Sequence, residues 1–352
     1  MSLINLGWND FFQDYYNSYG DDNLTVGRIS AEYRNHYEVI TEIGEIKGEI
    51  SGKLRYTIET KSDFPVVGDW VVINRLDNNF AIINDVLPRK SMFKRKAPGN
   101  KIEEQILASN IDYIFIVTSL NQNYNLRRIE RYVTISWESG AIPVVILSKS
   151  DLCDDKENKI IEVENIAPGV DIHAISAMTG KGVENLSKYV KEGNTICLLG
   201  SSGVGKSTLV NRLIGEDTMD TGDIRLDDGR GKHTTTHRQM MNIPEGGLII
   251  DTPGIREIAL WDGDNGIEEA FKDLEILSNK CKFTDCKHES EPGCAITQAI
   301  NNGSLAKERL DSYKKLQREL RYIERKQNRK LQLEEKKKNK SLNKYIKAHK
   351  RK

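Results

Sequence analysis

Residues Gly200 to Ser207, GSSGVGKS, constrain this chain more than any other stretch. Two glycines and a Lys-Ser pair at this spacing form a phosphate-binding loop, provided that a strand runs in and a helix runs out. Both flanks qualify: TICLL (195–199) is a buried-strand run, and an amphipathic helix is expected from Lys206. Gly200, Gly203 and Gly205 let backbone N–H groups face phosphate oxygens with no side chain in the way. The helix start adds a dipole that favours negative charge. Lys206 is placed for the β- and γ-phosphates and the Ser207 hydroxyl for Mg²⁺. Ser201, Ser202, Val204 and Thr208 complete the nucleotide-contacting set. Such a unit belongs in a mostly parallel sheet with helices on both faces.

The rhythm from Ile111 onward agrees. Strand-like runs at 113–118, 142–148, 170–176, 195–200 and 248–251 alternate with helical stretches near 127–138, 183–191 and from Lys206. DTPG (251–254) closes the last run. Asp251 at its end is placed to hold Mg²⁺, and the Gly254 N–H to sense the γ-phosphate. Between the loop and DTPG lies GRGKHTTTHRQ (229–239), polar and poor in packing residues, as a switch segment is; either Thr234 or Thr235 is its candidate Mg²⁺ ligand. The residue after DTPG is Ile255, which cannot orient a water. His233 is therefore the candidate to do so.

The base is read elsewhere. Guanine offers N1–H and N2–H donors that one carboxylate accepts together, and adenine does not. A site built for those bonds rejects the wrong base strongly. SKSD (Ser148, Lys149, Ser150, Asp151) ends the run IPVVIL, and Ser176-Ala177 ends the next, where a backbone N–H can meet the guanine O6. These motifs precede the phosphate loop, whereas in most GTPases they follow it.

Upstream, five short alternating runs between Leu24 and Leu87 predict a small closed barrel of the oligonucleotide-binding type, with an N-terminal helix carrying Trp8, Phe11, Phe12 and Tyr15 packed on it. Arg89 to Lys101 reads as a basic linker with a Pro98-Gly99 turn. Downstream, Cys281, Cys286, His288 and Cys294 give three thiolates and an imidazole, a closed tetrahedral set for one structural Zn²⁺. A long helix is expected from about Ser304. The net charge of zero hides an asymmetry: residues 321–352 hold 14 Lys or Arg against 3 Glu, so the tail is +11 and the rest −11. A basic tail on an acidic body points to a polyanionic partner.

The order of these motifs resembles that of the circularly permuted GTPases, and specifically the ribosome small-subunit-dependent GTPase A family. PVVGDWV (65–71), GSSGVGKST (200–208), KHTTTH (232–237), DTPG (251–254) and CKFTDCKHESEPGC (281–294) carry the resemblance over nearly the whole chain. It implies a GTPase acting in late maturation of the small ribosomal subunit, with hydrolysis stimulated by that subunit. Its partners would be that subunit and its rRNA, and its ligands GTP and GDP with Mg. One departure is Ser148, where the family usually has Asn or Thr to tie the base to the phosphate loop. The shorter Ser predicts weaker guanine selectivity or affinity.

The expected multidomain organisation is therefore a barrel with its N-terminal extension and linker (1–100), a permuted P-loop GTPase domain of α/β class (101–262), a zinc-binding module and helix (263–320) and a basic tail (321–352). No run nears the roughly 18 apolar residues of a membrane helix, and no basic start followed by an apolar run marks a secretory signal. A monomeric, cytoplasmic protein is expected. Two other readings compete: an RNA-binding adaptor whose nucleotide site is structural and hydrolyses nothing, and an ATPase. Intact Lys206, Ser207 and Asp251 weigh against the first, and Asp151 with Ser176-Ala177 against the second.

Overall fold

The computed structural model describes residues 2–21, 23–96, 104–121, 123–215, 238–251, 264–289, 291–323 and 325. Among the expected site residues, His233, Thr234, Thr235 and Gly254 lie outside these, as do nearly all of the basic tail and the boundary expected at residue 100.

The N-terminus forms α1 (Asp10–Asn17), started by Asn9, whose side chain accepts the Phe11 N–H. The five alternating runs become β1 (Leu24–Glu32), β2 (Tyr37–Thr41), β3 (Gly44–Ile50), β4 (Trp70–Arg75) and β5 (Phe80–Val86), with α2 (Gly52–Thr57) between the third and fourth. They pair in the order β1-β2-β3-β5-β4, and β4 returns to β1, which closes the barrel. Strand β3 runs parallel to β5, and the other neighbours are antiparallel. Inward residues such as Val39, Ile73 and Ile83 are fully buried. Trp8 meets Trp70 edge to face and Phe12 lies tilted against it, so α1 and the residues before it pack on the barrel's flank, as the aromatic N-terminus predicts.

The stretch expected to be a linker is partly strand. Strands β6 (Met92–Lys96) and β7 (Glu104–Ser109) form a two-stranded antiparallel sheet, with Phe93 fully buried. Arg89 is also held: its Nε and Nη2 donate to both oxygens of Asp69, whose side chain is wholly buried. That fork explains PVVGDWV. Asp69 additionally accepts the Val66 N–H, and Gly68, at φ 96°, passes so near Ser109 that a Cβ would sit 2.1 Å from its carbonyl oxygen.

The second sheet contains β8 (Tyr113–Ser119), β9 (Ile142–Ser148), β10 (Asp171–Ala174), β11 (Thr195–Leu199), β12 (Gln239–Asn242) and β13 (Leu248–Asp251). Its order is β10-β9-β8-β11-β13-β12, parallel throughout except for β12. Helices α3 (Leu126–Glu138), α4 (Lys156–Glu164) and α5 (Lys206–Ile214) connect the strands. The expected helix at 183–191 is only a 3-10 turn, Val183–Leu186. Its apolar residues Val183, Leu186 and Tyr189 recur every third place, the 3-10 period, and the Tyr189 and Lys188 side chains are drawn to Asp171. Strands β6, β7 and β12 and helix α4 were not foreseen.

The two sheets meet. Ala31 in β1 pairs with Gln239, the first residue of β12, and Arg238 forms an ion pair with Glu32 at 3.2 Å. Arg28, fully buried, extends from the barrel to Thr195 Oγ1 (2.8 Å), the Asn110 carbonyl (2.8 Å) and the Leu6 carbonyl. Burial lowers its pKa to about 10, against the opposing pull of Asp112.

The C-terminal part comprises α6 (Asp264–Ala270), which packs on α3, α7 (Lys272–Ser278), which packs on α6, α8 (Ala295–Asn301), which packs on α7, and α9 (307–323), which reaches α3 through side chains. Arg309 of α9 is 2% exposed, and all five of its N–H donors are used: two on Asp273, and one each on Glu130 of α3 (3.1 Å), the Ile166 carbonyl (2.7 Å) and the Ala270 carbonyl (3.0 Å). Arg131 and Glu319 add a two-pronged ion pair at 2.8 and 2.7 Å. Among the described residues no helix is long and apolar enough to cross a membrane.

Candidate nucleotide site and metal centre

Parallel strands aim their carboxyl ends the same way, and ligands of open α/β sheets lie along that edge. Four of the expected motifs fall on it: SKSD after β9, Ser176-Ala177 after β10, the phosphate loop after β11 and Asp251 at the end of β13. Because only β8 lies between β9 and β11, base-side and phosphate-side motifs end up two strands apart although about 50 residues separate them in sequence.

The loop fits between a five-residue strand and a nine-residue helix. Gly200 lies against β8: a Cβ there would be 2.3 Å from the Val117 carbonyl oxygen. Gly203 and Gly205 take φ of 75° and 94°, the left-handed region where glycine carries no penalty. Lys206 Nζ donates to the Gly200 and Ser201 carbonyls at 2.7 Å each.

SKSD is bound to that loop. Ser148, 2% exposed, donates from Oγ to the Val204 carbonyl at 2.6 Å and lies 3.2 Å from the Thr118 carbonyl. Lys149, itself left-handed at φ 57°, extends Nζ to the Gly203 carbonyl at 2.8 Å. The short Ser side chain thus reaches the loop. It does so because β9 lies beside β8 and leaves Oγ only one hydrogen bond away. Ser150–Leu152 is a 3-10 turn that leaves Asp151 exposed, and the Ser150 N–H donates to Ile175, which docks this turn on the next strand. In the Ser176-Ala177 turn the Ser176 N–H is engaged with the Lys181 carbonyl, and Ser176 Oγ accepts the Thr179 N–H. Among the described residues the Ala177 N–H has no partner and is available to a ligand.

Sequence reasoning missed two residues here. Arg128, in the first turn of α3, donates from Nη1 to Ser201 Oγ (3.0 Å) and Asn123 Oδ1 (3.1 Å), and Asn123 Nδ2 lies 3.4 Å from the Ser202 carbonyl. Nothing in the sequence pairs a β8–α3 turn with residues about 75 places later; that requires β8 to be the neighbour of β11.

The second site is the Cys/His cluster. One ligand atom from each of Cys281, Cys286, His288 and Cys294 lies within 4.8 Å of the others. Tetrahedral Zn²⁺, with bonds of about 2.3 Å to sulfur and 2.0–2.1 Å to nitrogen, places sulfurs about 3.8 Å apart and sulfur and nitrogen about 3.6 Å apart. Cys281 and Cys294 Sγ are 3.9 Å apart, and His288 Nδ1 lies 3.7 and 3.5 Å from them. The donor set and its spacing fit Zn²⁺. Ser278 Oγ meets the other ring nitrogen, Nε2, at 3.3 Å and fixes the imidazole's orientation. Gly293, at φ 78°, makes the turn that returns Cys294, and its carbonyl accepts the Lys282 N–H. Burial raises the Cys294 thiol, but hydrogen bonds from Thr297 and His288 outweigh it and bring it down to about 6, towards the thiolate that a metal needs. Burial pushes Cys286 up to about 11.

Comparisons with known proteins agree with this arrangement. Residues 86–261 match the family model of the RsgA GTPase, and 195–336 match that of the 50S ribosome-binding GTPase. Small ribosomal subunit biogenesis GTPase RsgA 2 of Lactiplantibacillus plantarum is 46% identical over 302 residues, 86% of this chain and 85% of that protein. RsgA 1 of Oceanobacillus iheyensis is 44% identical over 328 residues, 91% and 93% of the two chains. Among solved structures, YjeQ from Thermotoga maritima superposes with TM-score 0.63 at 28% identity, over 84% of this chain and 98% of that one. YloQ, described as a circularly permuted GTPase, has TM-score 0.63 at 22% identity over 85% and 96%, a likeness of fold.

Proposed function

This chain belongs to the RsgA GTPase family, and from that premise we propose that it is a GTP-hydrolysing switch acting on the small ribosomal subunit during its late maturation, with turnover stimulated by the subunit. The observation that carries the reading is the union of SKSD and the phosphate loop through Ser148 and Lys149, because base recognition and phosphate binding then act as one site.

In this reading Asp151 accepts the guanine N1–H and N2–H, and the Ala177 N–H, with Ser176 shaping its turn, meets O6. Lys149 and Ser150 support the base side. The amides of residues 200–208 hold the phosphates, and Lys206 turns from its loop carbonyls to the β- and γ-oxygens. Ser207, with Asp251 through water and Thr234 or Thr235, would hold Mg²⁺. Bound with GTP, Mg²⁺ neutralises charge on the β- and γ-phosphates. Gly254 would report the γ-phosphate. His233 orients the attacking water, the task that Ile255 cannot perform. Cys281, Cys286, His288 and Cys294 would hold one Zn²⁺ with no open position, hence in a structural role.

The polyanion that suits the basic tail is rRNA, and the barrel offers a second grip on it. The protein works as a monomer in the cytoplasm. The order of the parts is the proposed division at 100, 262 and 320.

The test is GTP turnover with and without purified small subunits at physiological salt, with ATP in parallel. Stimulated turnover of GTP alone is expected. Tight GTP binding with no turnover in either condition would replace the switch by an adaptor. His233→Ala should abolish the stimulation; full stimulated turnover would remove His233 from the mechanism.

A further inference from the structure

Helix α3 begins at the phosphate loop with a charge that the reading above does not use. Asn125 caps it by accepting the Arg128 N–H at 2.9 Å, which fixes the first turn and sends the Arg128 side chain towards the loop. Ser201 is then held from two sides: its hydroxyl by Arg128 Nη1 at 3.0 Å and its carbonyl by Lys206 Nζ at 2.7 Å. Lys206 is the side chain expected on the β- and γ-phosphates, so Arg128 stands one residue away from that position. Asn123 joins the arrangement. It accepts from the same Nη1 and lies against the Ser202 carbonyl, so Arg128 braces both serines of the loop.

Two further facts separate this arginine from a packing residue. Its hydrogen bonds come from Nη1 alone; among the described residues Nε and Nη2 make none. No carboxylate of those residues pairs with it either, whereas the adjacent Arg127 and Arg131 both have glutamate partners. A half-buried guanidinium without a counter-charge, its fork partly unused, beside a loop shaped for phosphate, is matched to an oxyanion.

We propose that Arg128 is a positioning residue for GTP hydrolysis: through Ser201 and Asn123 it fixes the γ-phosphate side of the loop, and its uncompensated charge favours GTP over GDP there. The proposal rests on the GTPase reading of this site. A charge at the γ-phosphate discriminates two nucleotides that differ by that group, whereas a purely structural brace would affect both alike.

The experiment compares wild type with Arg128→Ala, Arg128→Lys and Asn123→Ala. It measures affinity for Mg-GDP and for a non-hydrolysable GTP analogue, unstimulated GTP turnover, and the thermal midpoint. For Arg128→Ala, analogue affinity and kcat should each fall about tenfold, the size of one charge-assisted hydrogen bond, while GDP affinity stays within about threefold. Arg128→Lys, which keeps the charge, should recover the analogue-to-GDP ratio. Asn123→Ala should lower kcat and leave that ratio unchanged. Equal losses for both nucleotides with Arg128→Ala, or none, would overturn the proposal, as would a ratio that Lys does not restore. Should wild type bind both nucleotides yet turn over no GTP with or without small subunits, the hydrolysis reading would fall, and with it the turnover role of Arg128, while the analogue-to-GDP ratio would still test its charge.

Discussion

Removing Arg309 should detach the C-terminal helices from α3. Its guanidinium is 2% exposed and Glu130 1%, and Glu130 keeps only Arg127, whose side chain is 37% exposed, once Arg309 is gone. Arg309→Met fills the same volume but leaves Glu130 and the Ile166 and Ala270 carbonyls short of a donor, and Asp273 short of two. Breaking a buried pair by removing one partner costs about 3–5 kcal/mol, a factor of roughly 10² to 10³·⁵ in an equilibrium constant. The stacking of Arg309 on Phe271 at 4.8 Å is also lost. Hydrogen exchange read over α7 and α8 is the suitable assay, because a chain of several parts does not unfold in one step. Opening of these helices should become easier by that factor while β8 and β11 change little. A double-mutant cycle with Asp273→Asn should give a coupling above about 1 kcal/mol. Exchange altered by less than about fivefold, or a coupling near zero, would mean that the buried charges are replaceable by packing and that hydrophobic contacts alone dock the module.

Ser148→Ala removes the donor to the Val204 carbonyl, so GTP and GDP affinities should fall together by about tenfold with their ratio kept, read by nucleotide titration; a change confined to GTP would contradict this. The contrast with Arg128, where the ratio itself should move, separates bracing of the loop from reading of the γ-phosphate. Chelation, or Cys294→Ser, should release one Zn²⁺ per chain and expose residues 281–294 to protease while nucleotide affinity holds, because the cluster and the phosphate loop share no ligand. Zinc retention should also weaken on acidification, as protons compete for the thiolates and the imidazole.

The parts legible in the sequence were those that local chemistry dictates. The phosphate loop is announced by its own glycines and by TICLL before it, and the barrel strands by strict alternation between turn residues. What was missed depends on neighbours distant in sequence. Among the described side chains of MFKRK only Phe93 is fully buried, and the run reads as a charged linker until β7 lies beside it. QMMN is four residues long, and only one of α4's nine residues is buried, so neither carries a usable period. RRIER at the start of α3 looks like a solvated face. Yet Glu130 is among the most buried polar groups, and each of the three arginines has a separate partner. The bond from Ser148 to the Val204 carbonyl was likewise not legible, because the reach of that side chain is set by the spacing of β9, β8 and β11 as well as by its length.

The rung between Ala31 and Gln239, with Arg238 on Glu32, has a mechanical consequence. The 22 residues from 216 to 237, which include the expected switch threonines and His233, run from Gly215 at the end of α5 to Arg238. One end is therefore moored to the nucleotide loop's own helix and the other to the wall of the barrel. A load applied to the barrel, such as a large partner gripping it, is transmitted to the far mooring without any contact with the segment itself.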